Sequence, residues 1–302
     1  MNKVLVTGGA GFIGSNLVDA LIENGNQVIC IDNESSVVHE KFFWNSKAEN
    51  VKQDIRNFSE ILDLFTNVDT VFHLAAQSRI QPSIYNPLES IETNIMGTAN
   101  VLEASRQKNV RRLVYSTTSS YYGLKNSVPN VETQPSDCLN PYSLSKVTGD
   151  QLCKIYSDLY GLETITLRYF CVYGDREPLK GEYAPVIGRF LRQHREGKPL
   201  TIVGDGQQIR DFTHIDDVIS ANLLAMTKKL VESGGVYNVG SGKSLSILEI
   251  AKLISNKITF VPARNGEARA SMANTDKIKS HLGWTPQKNL TDYIAKKCRE
   301  YI

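Results

Sequence analysis

Tyr142 and Lys146, four residues apart, are the strongest indication of chemistry in this sequence. Pro141 after Asn140 is typical of the first turn of a helix, and residues four apart share one helical face. A lysine ammonium beside a phenol favours the phenolate and lowers a pKa that is ordinarily about 10. The pair predicts a general base that takes a proton from an alcohol. Alone, the same spacing also fits an exposed tyrosine beside a surface lysine, so the prediction depends on context.

A hydroxyl-rich run, Tyr115–Gly123, follows the apolar segment Leu113–Tyr115. If that segment is a strand of a parallel sheet, the run lies at the carboxyl edge, where ligands bind. Its hydroxyl groups are then able to hold a substrate oxygen during proton transfer. The alternative is a Ser/Thr turn without a role in binding.

Three glycines, Gly9, Gly11 and Gly14, form a G-x-G-x-x-G pattern between a strand-like segment and a helical one. Such glycines permit a tight turn and close approach of a pyrophosphate, which then faces the helix N-terminus. The motif predicts a bound dinucleotide, which accepts the hydride of the alcohol while Tyr142 takes its proton. A purely structural turn is the alternative, but the flanking elements favour the cofactor.

Two acidic residues follow later predicted strands. Asp32 ends the second strand, 18 residues beyond Gly14, and a carboxylate there accepts ribose hydroxyls and repels a 2′-phosphate. Because no arginine or lysine follows before Lys41, NAD is favoured over NADP. Asp54 is expected near the end of a third strand, where it either accepts from the adenine amino group or lies in a solvated turn.

Short apolar segments alternate with longer amphipathic ones in the first half of the chain. Strands are predicted at Val4–Val6, Val28–Ile31, Thr70–Leu74, Leu113–Ser116 and Thr164–Tyr169, and helices at about 12–24, 58–66, 88–108 and 142–160. This alternation predicts an α/β fold with a Rossmann-type, doubly wound parallel sheet.

Frequent glycine and proline after about residue 170 predict loops and short elements of a smaller lobe. Val218–Thr227 is expected to be a helix and Gly235–Val239 a strand that returns to the sheet. We therefore expect an NAD-binding domain at 1–170 plus about 212–240, and a discontinuous substrate-binding lobe at 171–211 plus about 241–302.

The composition is that of an ordinary globular protein, with 302 residues, 41% hydrophobic and 22% charged. A net charge of +2 does not call for nucleic acid or an anionic membrane surface as a partner. The five cysteines are dispersed, which is typical of reduced thiols and predicts no metal site. With no signal peptide and no long apolar run, a cytoplasmic protein without a membrane partner is expected.

The chain resembles the extended short-chain dehydrogenase/reductase family, in particular the NAD-dependent nucleotide-sugar epimerases and dehydratases such as the 4-epimerases of UDP-glucose and UDP-N-acetylglucosamine. The matching motifs run in order along nearly the whole chain: Thr7–Gly14, His73–Ala76, Asn94, Tyr122-Gly123, Asn140–Lys146, Leu167–Phe170, Gly204–Phe212, His214–Asp217, Tyr237–Gly240 and Leu282–Trp284. The resemblance implies 4-epimerisation of a UDP-sugar through a transient 4-keto sugar, with NAD regenerated in each cycle.

The resemblance also assigns roles to individual residues. Thr118 joins Tyr142 and Lys146 as a catalytic residue, sharing the hydrogen bond to the sugar O4. Ser119 and Ser120 stand where the family's dehydratases carry Asp-Glu, which argues against elimination of water. The residues expected to bind NAD are Gly8, Gly11, Phe12, Ile13, Gly14, Asp32, Asn33, Asp54, Ile55, Leu74, Ala75, Ala76, Asn94, Ser116, Tyr142, Lys146 and Tyr169.

A second group of residues is expected to bind the UDP-sugar. Arg210 falls on the family's diphosphate-contacting arginine, and a guanidinium fork suits a diphosphate. Glu267 and Arg269 are weaker matches near the nucleotide, with surface charges as the alternative. The full set is Arg79, Thr118, Ser119, Ser120, Tyr142, Phe170, Cys171, Val186, Thr201, Val203, Arg210, Glu267, Arg269 and Ser271.

Three positions depart from the family pattern, and a fourth bears on the size of the sugar. Cys171 replaces the usual asparagine, and Asp175 replaces the usual proline. Arg79 stands where relatives often have a small residue; it is either a solvated loop residue or a contact to a polar or carboxylate group. Ser271 is placed at the family's gatekeeper, where a small residue admits N-acetyl groups, so UDP-GlcNAc and UDP-GalNAc join UDP-glucose and UDP-galactose as candidate substrates.

Three alternatives stay open. The chain could instead be a UDP-uronate epimerase or decarboxylase, or a non-catalytic NAD-sensing regulator.

Relatives dimerise through a four-helix bundle, and the helices around 94–108 and 143–160 carry apolar residues beyond the needs of one core face. These are Val101, Leu102, Leu152, Ile155 and Leu159. A homodimer is therefore expected, with a helix buried only on its own sheet as the alternative.

Overall fold

The computed structural model describes residues 2–179, 181 and 183–300, so the outer ends of the expected domains, residues 1 and 302, lie outside it. Its strands, in chain order, are β1 (Lys3–Thr7), β2 (Gln27–Asp32), β3 (Glu49–Lys52), β4 (Thr70–His73), β5 (Arg112–Thr118), β6 (Glu163–Tyr169), β7 (Val172–Tyr173), β8 (Leu200–Val203), β9 (Ile209–Asp211), β10 (Thr213–His214), β11 (Gly235–Val239), β12 (Ser244–Ser246) and β13 (Ile258–Val261).

Seven of these strands form one sheet in the order β11-β6-β5-β4-β1-β2-β3, and every neighbouring pair is parallel. The strand order reverses between β1 and β4, which is the position where doubly wound sheets bind ligands. This arrangement confirms the predicted Rossmann-type fold. The five predicted strands and the returning strand Gly235–Val239 lie in this sheet.

Helices cover both faces of the sheet and build the C-terminal part of the chain. They are α1 (Phe12–Glu23), α2 (Phe58–Ile61), α3 (Ile80–Tyr85), α4 (Pro87–Ile91), α5 (Gly97–Gln107), α6 (Pro141–Tyr160), α7 (Val186–Arg195), α8 (Ile215–Thr227), α9 (Ile247–Ile254), α10 (Asp276–Leu282) and α11 (Leu290–Arg299). The predicted helix 58–66 divides into α2 and a 3₁₀ turn, and 88–108 contains a π turn at Glu92–Met96. Among the described residues, no helix combines the length and apolar character that a membrane crossing requires.

Alternating residues of the buried strands supply two apolar layers. Val4 and Val6 pack with α1 and α8 on one face, while Leu5 packs on the other face. Val101 and Leu102 belong to this second layer and are fully buried. They are therefore core residues, and our expectation that they are spare apolar positions for a dimer was wrong.

A third apolar cluster lies in the C-terminal part of the chain. It unites residues of α7, β8, α9 and α11, with Phe190, Leu200, Ile202, Ile250 and Ile294 among its most buried members. Because α8 and β11 pack instead with the large sheet, the chain returns to the sheet between the segments that form this cluster.

Helix α6 is seated directly on β5. Its N-terminus is fixed by a capping box in which Asn140 accepts a hydrogen bond from the Ser143 amide at 2.8 Å. Further along, Gly149 faces Tyr115, and a Cβ at Gly149 would lie 2.2 Å from the Tyr115 hydroxyl oxygen. Close packing here sets the distance of the whole helix, and hence of its first turn, from the end of β5.

Candidate active site

A cavity of about 520 Å³ lies at the carboxyl edge of the sheet. The ends of β1, β2, β4 and β5 form one side, and segments of the C-terminal part form the other. Its volume lies within the range of about 300–1,000 Å³ that is typical of ligand and cofactor pockets. The sequence-predicted residues that line it are Gly8, Gly11, Phe12, Ile13, Gly14, Asp32, Asn33, Ile55, Leu74, Ala75, Ala76, Arg79, Ser116, Thr118, Ser119, Ser120, Tyr142, Lys146, Tyr169, Cys171, Val186, Val203, Arg210, Glu267 and Ser271.

The glycine loop forms the floor of one half of the cavity. Gly8 has φ 68° and lies against the β4 loop, where a Cβ would approach the Ala75 nitrogen to 2.7 Å. A Cβ on Gly14 would lie 2.1 Å from the Gly8 carbonyl oxygen, so α1 packs against the loop only with glycine there. By contrast, a Cβ on Gly11 would meet no atom closer than 3.5 Å. Gly11 therefore leaves open space in front of the N-terminus of α1.

Asp32 is held at the end of β2 by backbone amides. Its carboxylate accepts from the Ala10 amide at 3.1 Å and the Glu34 amide at 2.8 Å. Burial raises the pKa of Asp32, and these hydrogen bonds oppose the rise. The open cradle at Gly11 and an oriented carboxylate 18 residues beyond Gly14 fit the diphosphate and ribose of NAD.

Tyr142 lies in the first turn of α6 and faces Thr118 at the end of β5. Burial raises the pKa of the Tyr142 phenol, while a hydrogen bond with the Thr118 side chain and the positive charge of Arg79 oppose that rise. Thr118 itself is buried and accepts from the Ser120 amide at 3.1 Å. The two hydroxyl groups therefore present a joint hydrogen-bonding point to the cavity.

Lys146 lies one turn further along α6 and is almost fully buried. Burial lowers the pKa of its ammonium to about 8, while the Asp150 carboxylate opposes the shift. Its Nζ lies 4.2 Å from the centre of the Tyr115 ring, a cation–π arrangement. Lys146 therefore lines the cavity one helical turn from Tyr142.

His73 supports the loop that follows β4. Its ring bonds Thr7 at 2.7 Å and Thr98 at 2.9 Å, and it is fully buried. Burial, together with the Lys146 charge, holds the pKa of His73 well below its usual value. A neutral His73 thus fastens β1, β4 and α5 together beneath the cavity without adding a charge to it.

Five predicted site residues lie outside the residues that line the cavity. Asp54 is paired with Arg56 at 2.7 Å, which lowers its pKa to about 2, and also accepts from Asn33. Asn94 is fully buried and joins Gln77 to Ser145. Phe170 packs against Tyr122 and Ala273. Thr201 accepts a hydrogen bond from Gln193, and Arg269 forms an ion pair with the exposed Asp205.

The part of the cavity opposite the glycine loop contains polar groups from the C-terminal part of the chain. Arg210 is fixed by hydrogen bonds to the Ile209 and Ala268 carbonyls at 2.9 and 2.6 Å. Ser271 is 5% exposed, and its hydroxyl is buried without a hydrogen-bond partner. Both side chains line the cavity beside Glu267 and Cys171.

Several lining residues were not predicted from the sequence. They include His39, Phe42, Glu177, Tyr183, Arg189, Gln208 and Arg264. His39 and Phe42 belong to the irregular segment between β2 and β3, which has no periodic pattern that could have signalled a role. Glu177 follows the Val-Tyr-Gly segment after β6. It lies two residues after Asp175, which departs from the family pattern, and that departure was the sequence signal that could have drawn attention to Glu177.

Glu177 is a buried carboxyl group on the cavity wall. One of its oxygens accepts from the Gly188 amide at 3.2 Å. Burial raises the pKa of Glu177 to about 8, although the Gly188 amide and the charge of Arg79 oppose the rise. At neutral pH the group is therefore mainly protonated, and it adds little negative charge to the cavity.

Comparison with known proteins identifies relatives over the full length. The sequence profile of the NAD dependent epimerase/dehydratase family matches residues 4–240. A putative UDP-glucose 4-epimerase of Methanocaldococcus jannaschii is 39% identical over 97% of this chain and 96% of its own. A UDP-glucuronate 4-epimerase of Thermodesulfobacterium geofontis is 31% identical over 98% and 95%. The crystal structure of a Thermotoga maritima UDP-glucose 4-epimerase with UDP-glucose superimposes with a TM-score of 0.92, at 35% identity over 99% and 98% of the two chains.

The raised pKa of Glu177 predicts a pH-dependent stability. Between about pH 4.5 and 8 the unfolded chain releases the Glu177 proton and the folded protein keeps it, so the free energy of unfolding falls as pH rises. Glu177→Gln removes this loss. Its stability relative to the wild type should therefore increase by about 2–4 kcal/mol from pH 5 to pH 8, measured by urea unfolding without cofactor.

The exposed Glu60→Gln serves as the matched control and should show no such change. A constant stability difference between Glu177→Gln and the wild type across this range would contradict the burial of a protonated carboxyl group.

Proposed function

The chain belongs to the NAD-dependent epimerase/dehydratase family, and from this premise we propose that it interconverts the C4 epimers of a UDP-sugar. The observation that carries the proposal is the convergence of Thr118, Tyr142 and Lys146 on one wall of a cavity that also fits NAD. Arg210, fixed on the opposite part of the cavity, supplies a guanidinium fork suited to the substrate diphosphate.

In the proposed reaction, Tyr142 takes the proton of the sugar O4 while Thr118 holds the same oxygen by a hydrogen bond. NAD held at the glycine loop and Asp32 would supply the acceptor for the C4 hydride, and its positive nicotinamide ring would further favour the phenolate of Tyr142. Lys146 stabilises that phenolate by its charge. After the keto sugar turns over in the cavity, Tyr142 returns the proton as hydride is delivered to the other face of C4.

Epimerisation is favoured over 4,6-dehydration by the residues next to Thr118. Ser119 and Ser120 line the cavity there, and a hydroxyl group is a far weaker acid than the carboxyl pair that elimination of the O6 hydroxyl requires. Intact mass of the product separates the outcomes. An epimer has the mass of the substrate, whereas dehydration or decarboxylation lowers it.

Two other functions are weighed against this one. A UDP-uronate epimerase or decarboxylase shares the same catalytic residues, and Arg79 on the cavity wall favours a carboxylate-bearing substrate. A non-catalytic NAD-sensing regulator would retain the glycine loop and Asp32 but has no need of Thr118, Tyr142 and Lys146 together. Purified protein incubated with UDP-glucose, UDP-GlcNAc and UDP-glucuronate distinguishes all of these.

We also propose the two binding domains that the sequence predicts. The sheet domain, 1–170 plus about 212–240, binds NAD, and the smaller lobe, 171–211 plus about 241–302, binds the nucleotide sugar. The separate apolar cluster of α7, β8, α9 and α11 supports this division. A cytoplasmic location is proposed from the five cysteines, all of which are unpaired thiols.

Replacement of Tyr142 by phenylalanine tests the base directly. Tyr142→Phe should lower kcat about 10²–10⁴-fold, because general acid–base catalysis contributes this much, while NAD remains bound. The control Tyr160→Phe removes the hydroxyl of an exposed tyrosine at the far end of the same helix and should leave kcat unchanged. Unaltered epimerisation by Tyr142→Phe would exclude the proposed mechanism.

The size limit of the sugar site is assigned to Ser271. Because Ser271 lines the cavity with a small side chain, we expect this position to admit an N-acetyl group. Ser271→Tyr should reduce kcat/KM for UDP-N-acetylhexosamines about 10–200-fold while UDP-hexose turnover is retained. Ser271→Ala should retain both, and undiminished N-acetylhexosamine turnover in Ser271→Tyr would show that the gatekeeper lies elsewhere.

A homodimer is proposed through the helical face around α4 and α6. Exposed apolar side chains cluster there: Tyr85, Leu88, Met96, Leu144, Ile155 and Leu159. Light scattering at micromolar concentration should show twice the 33.7 kDa chain mass. Leu159→Glu should yield a monomer, whereas Val231→Glu, an exposed position outside this face, should not. A monomeric wild type would refute the dimer.

A further inference from the structure

Arg79 is a partly buried arginine on the cavity wall, and among the described residues its guanidinium forms no ion pair. It directly precedes α3 and lines the cavity between the NAD half and the sugar half. Its Nε is buried and has no hydrogen-bond partner, and within the described parts of the chain no carboxylate lies within ion-pair distance of its guanidinium. A buried donor without a hydrogen-bond partner is costly, so the unsatisfied Nε indicates that a ligand group completes this site.

Three side chains stand within electrostatic reach of Arg79. They are Tyr142, Glu177 and His39. Burial raises the pKa of Glu177 to about 8 and lowers that of His39, so both are mainly neutral at pH 7. The Tyr142 phenol is also neutral in its resting form, since burial raises its pKa. Among the described residues, these groups therefore leave the guanidinium charge without a balancing anion.

The diphosphates of NAD and of the proposed UDP-sugar are assigned to other parts of the cavity. The NAD diphosphate is accommodated at Gly11 and the N-terminus of α1, and the UDP diphosphate is assigned to Arg210. Arg79 instead stands beside Tyr142, the residue placed at the sugar O4. A ligand anion that balances Arg79 must thus be carried near C4 of the sugar.

We propose that Arg79 binds a carboxylate on the sugar ring, so that the preferred substrates are UDP-hexuronates. In a hexuronate the carboxylate is attached to C5, the neighbour of C4, so its oxygens lie within reach of a group beside Tyr142. The planar guanidinium matches the two carboxylate oxygens, and such charge-assisted pairs are short and strong. This inference rests on the proposed function and names its substrate class.

The test compares kcat/KM for UDP-glucuronate and UDP-glucose in the wild type, Arg79→Gln and Arg79→Lys. The wild type should prefer the uronate by about 100-fold, and Arg79→Gln should abolish the preference by lowering kcat/KM for UDP-glucuronate about 100-fold more than for UDP-glucose. Arg79→Lys should keep part of the preference, because it retains the charge without the fork. Arg106→Gln, at an exposed arginine of α5, is the matched control.

Binding provides a readout that does not depend on turnover. Calorimetry with the NAD-loaded Tyr142→Phe variant should show tighter binding of UDP-glucuronate than of UDP-glucose, and the additional Arg79→Gln change should remove the difference. If no UDP-sugar is epimerised by the wild type and this Arg79-dependent difference is found, the proposed function fails and the carboxylate site stands.

Three results would overturn the carboxylate site. Equal losses with both substrates in Arg79→Gln would assign the residue to a feature that the two sugars share. Loss of copurified NAD with an unchanged substrate ratio would assign it to the cofactor. A shift of the pH–rate profile with an unchanged ratio would assign it to the Tyr142 phenolate.

Discussion

Burial of the Lys146 ammonium is the constraint on which the rest of the site depends. A lysine removed from water loses hydration, and this loss lowers the pKa of the Lys146 ammonium to about 8. The fold compensates with the Tyr115 ring beneath Nζ and with Asp150 one turn away, itself paired with Arg168 at 3.1 Å. Gly149 permits this close seating of α6 on β5. The same seating carries Tyr142 to the end of β5, beside Thr118.

Charge in the cavity follows a consistent pattern. Asp32 is engaged by backbone amides and Glu177 keeps its proton, which leaves Glu267 as the other acidic group among the described lining residues. Arg79, Lys146 and Arg210 supply positive charge. A site of this kind suits ligands with several negative charges, as both NAD and a nucleotide sugar are. It also favours the anionic form of Tyr142, the single group in the mechanism that must ionise.

Local patterns in the sequence predicted the sheet well, because buried parallel strands are short apolar runs and their bounds follow from residue type. The glycine loop and the capped start of α6 were predictable for the same reason. Val101 and Leu102 were assigned wrongly, since periodicity alone does not show how much of a helix its own sheet covers. Phe170 lies in a buried cluster and not on the cavity wall. Glu177 was missed because its burial depends on how the following irregular segment folds back to bring Gly188 of α7 against it, which no periodic pattern shows.

The central claim is that hydride leaves C4 of the sugar for bound NAD and returns to the same carbon. A UDP-sugar deuterated at C4 and incubated with the enzyme in ordinary water tests this most directly. The account predicts that the deuterium is retained at C4 in both epimers at equilibrium, because the hydride never exchanges with solvent. Loss of the label to water would contradict it, since the hydrogen would then have moved as a proton.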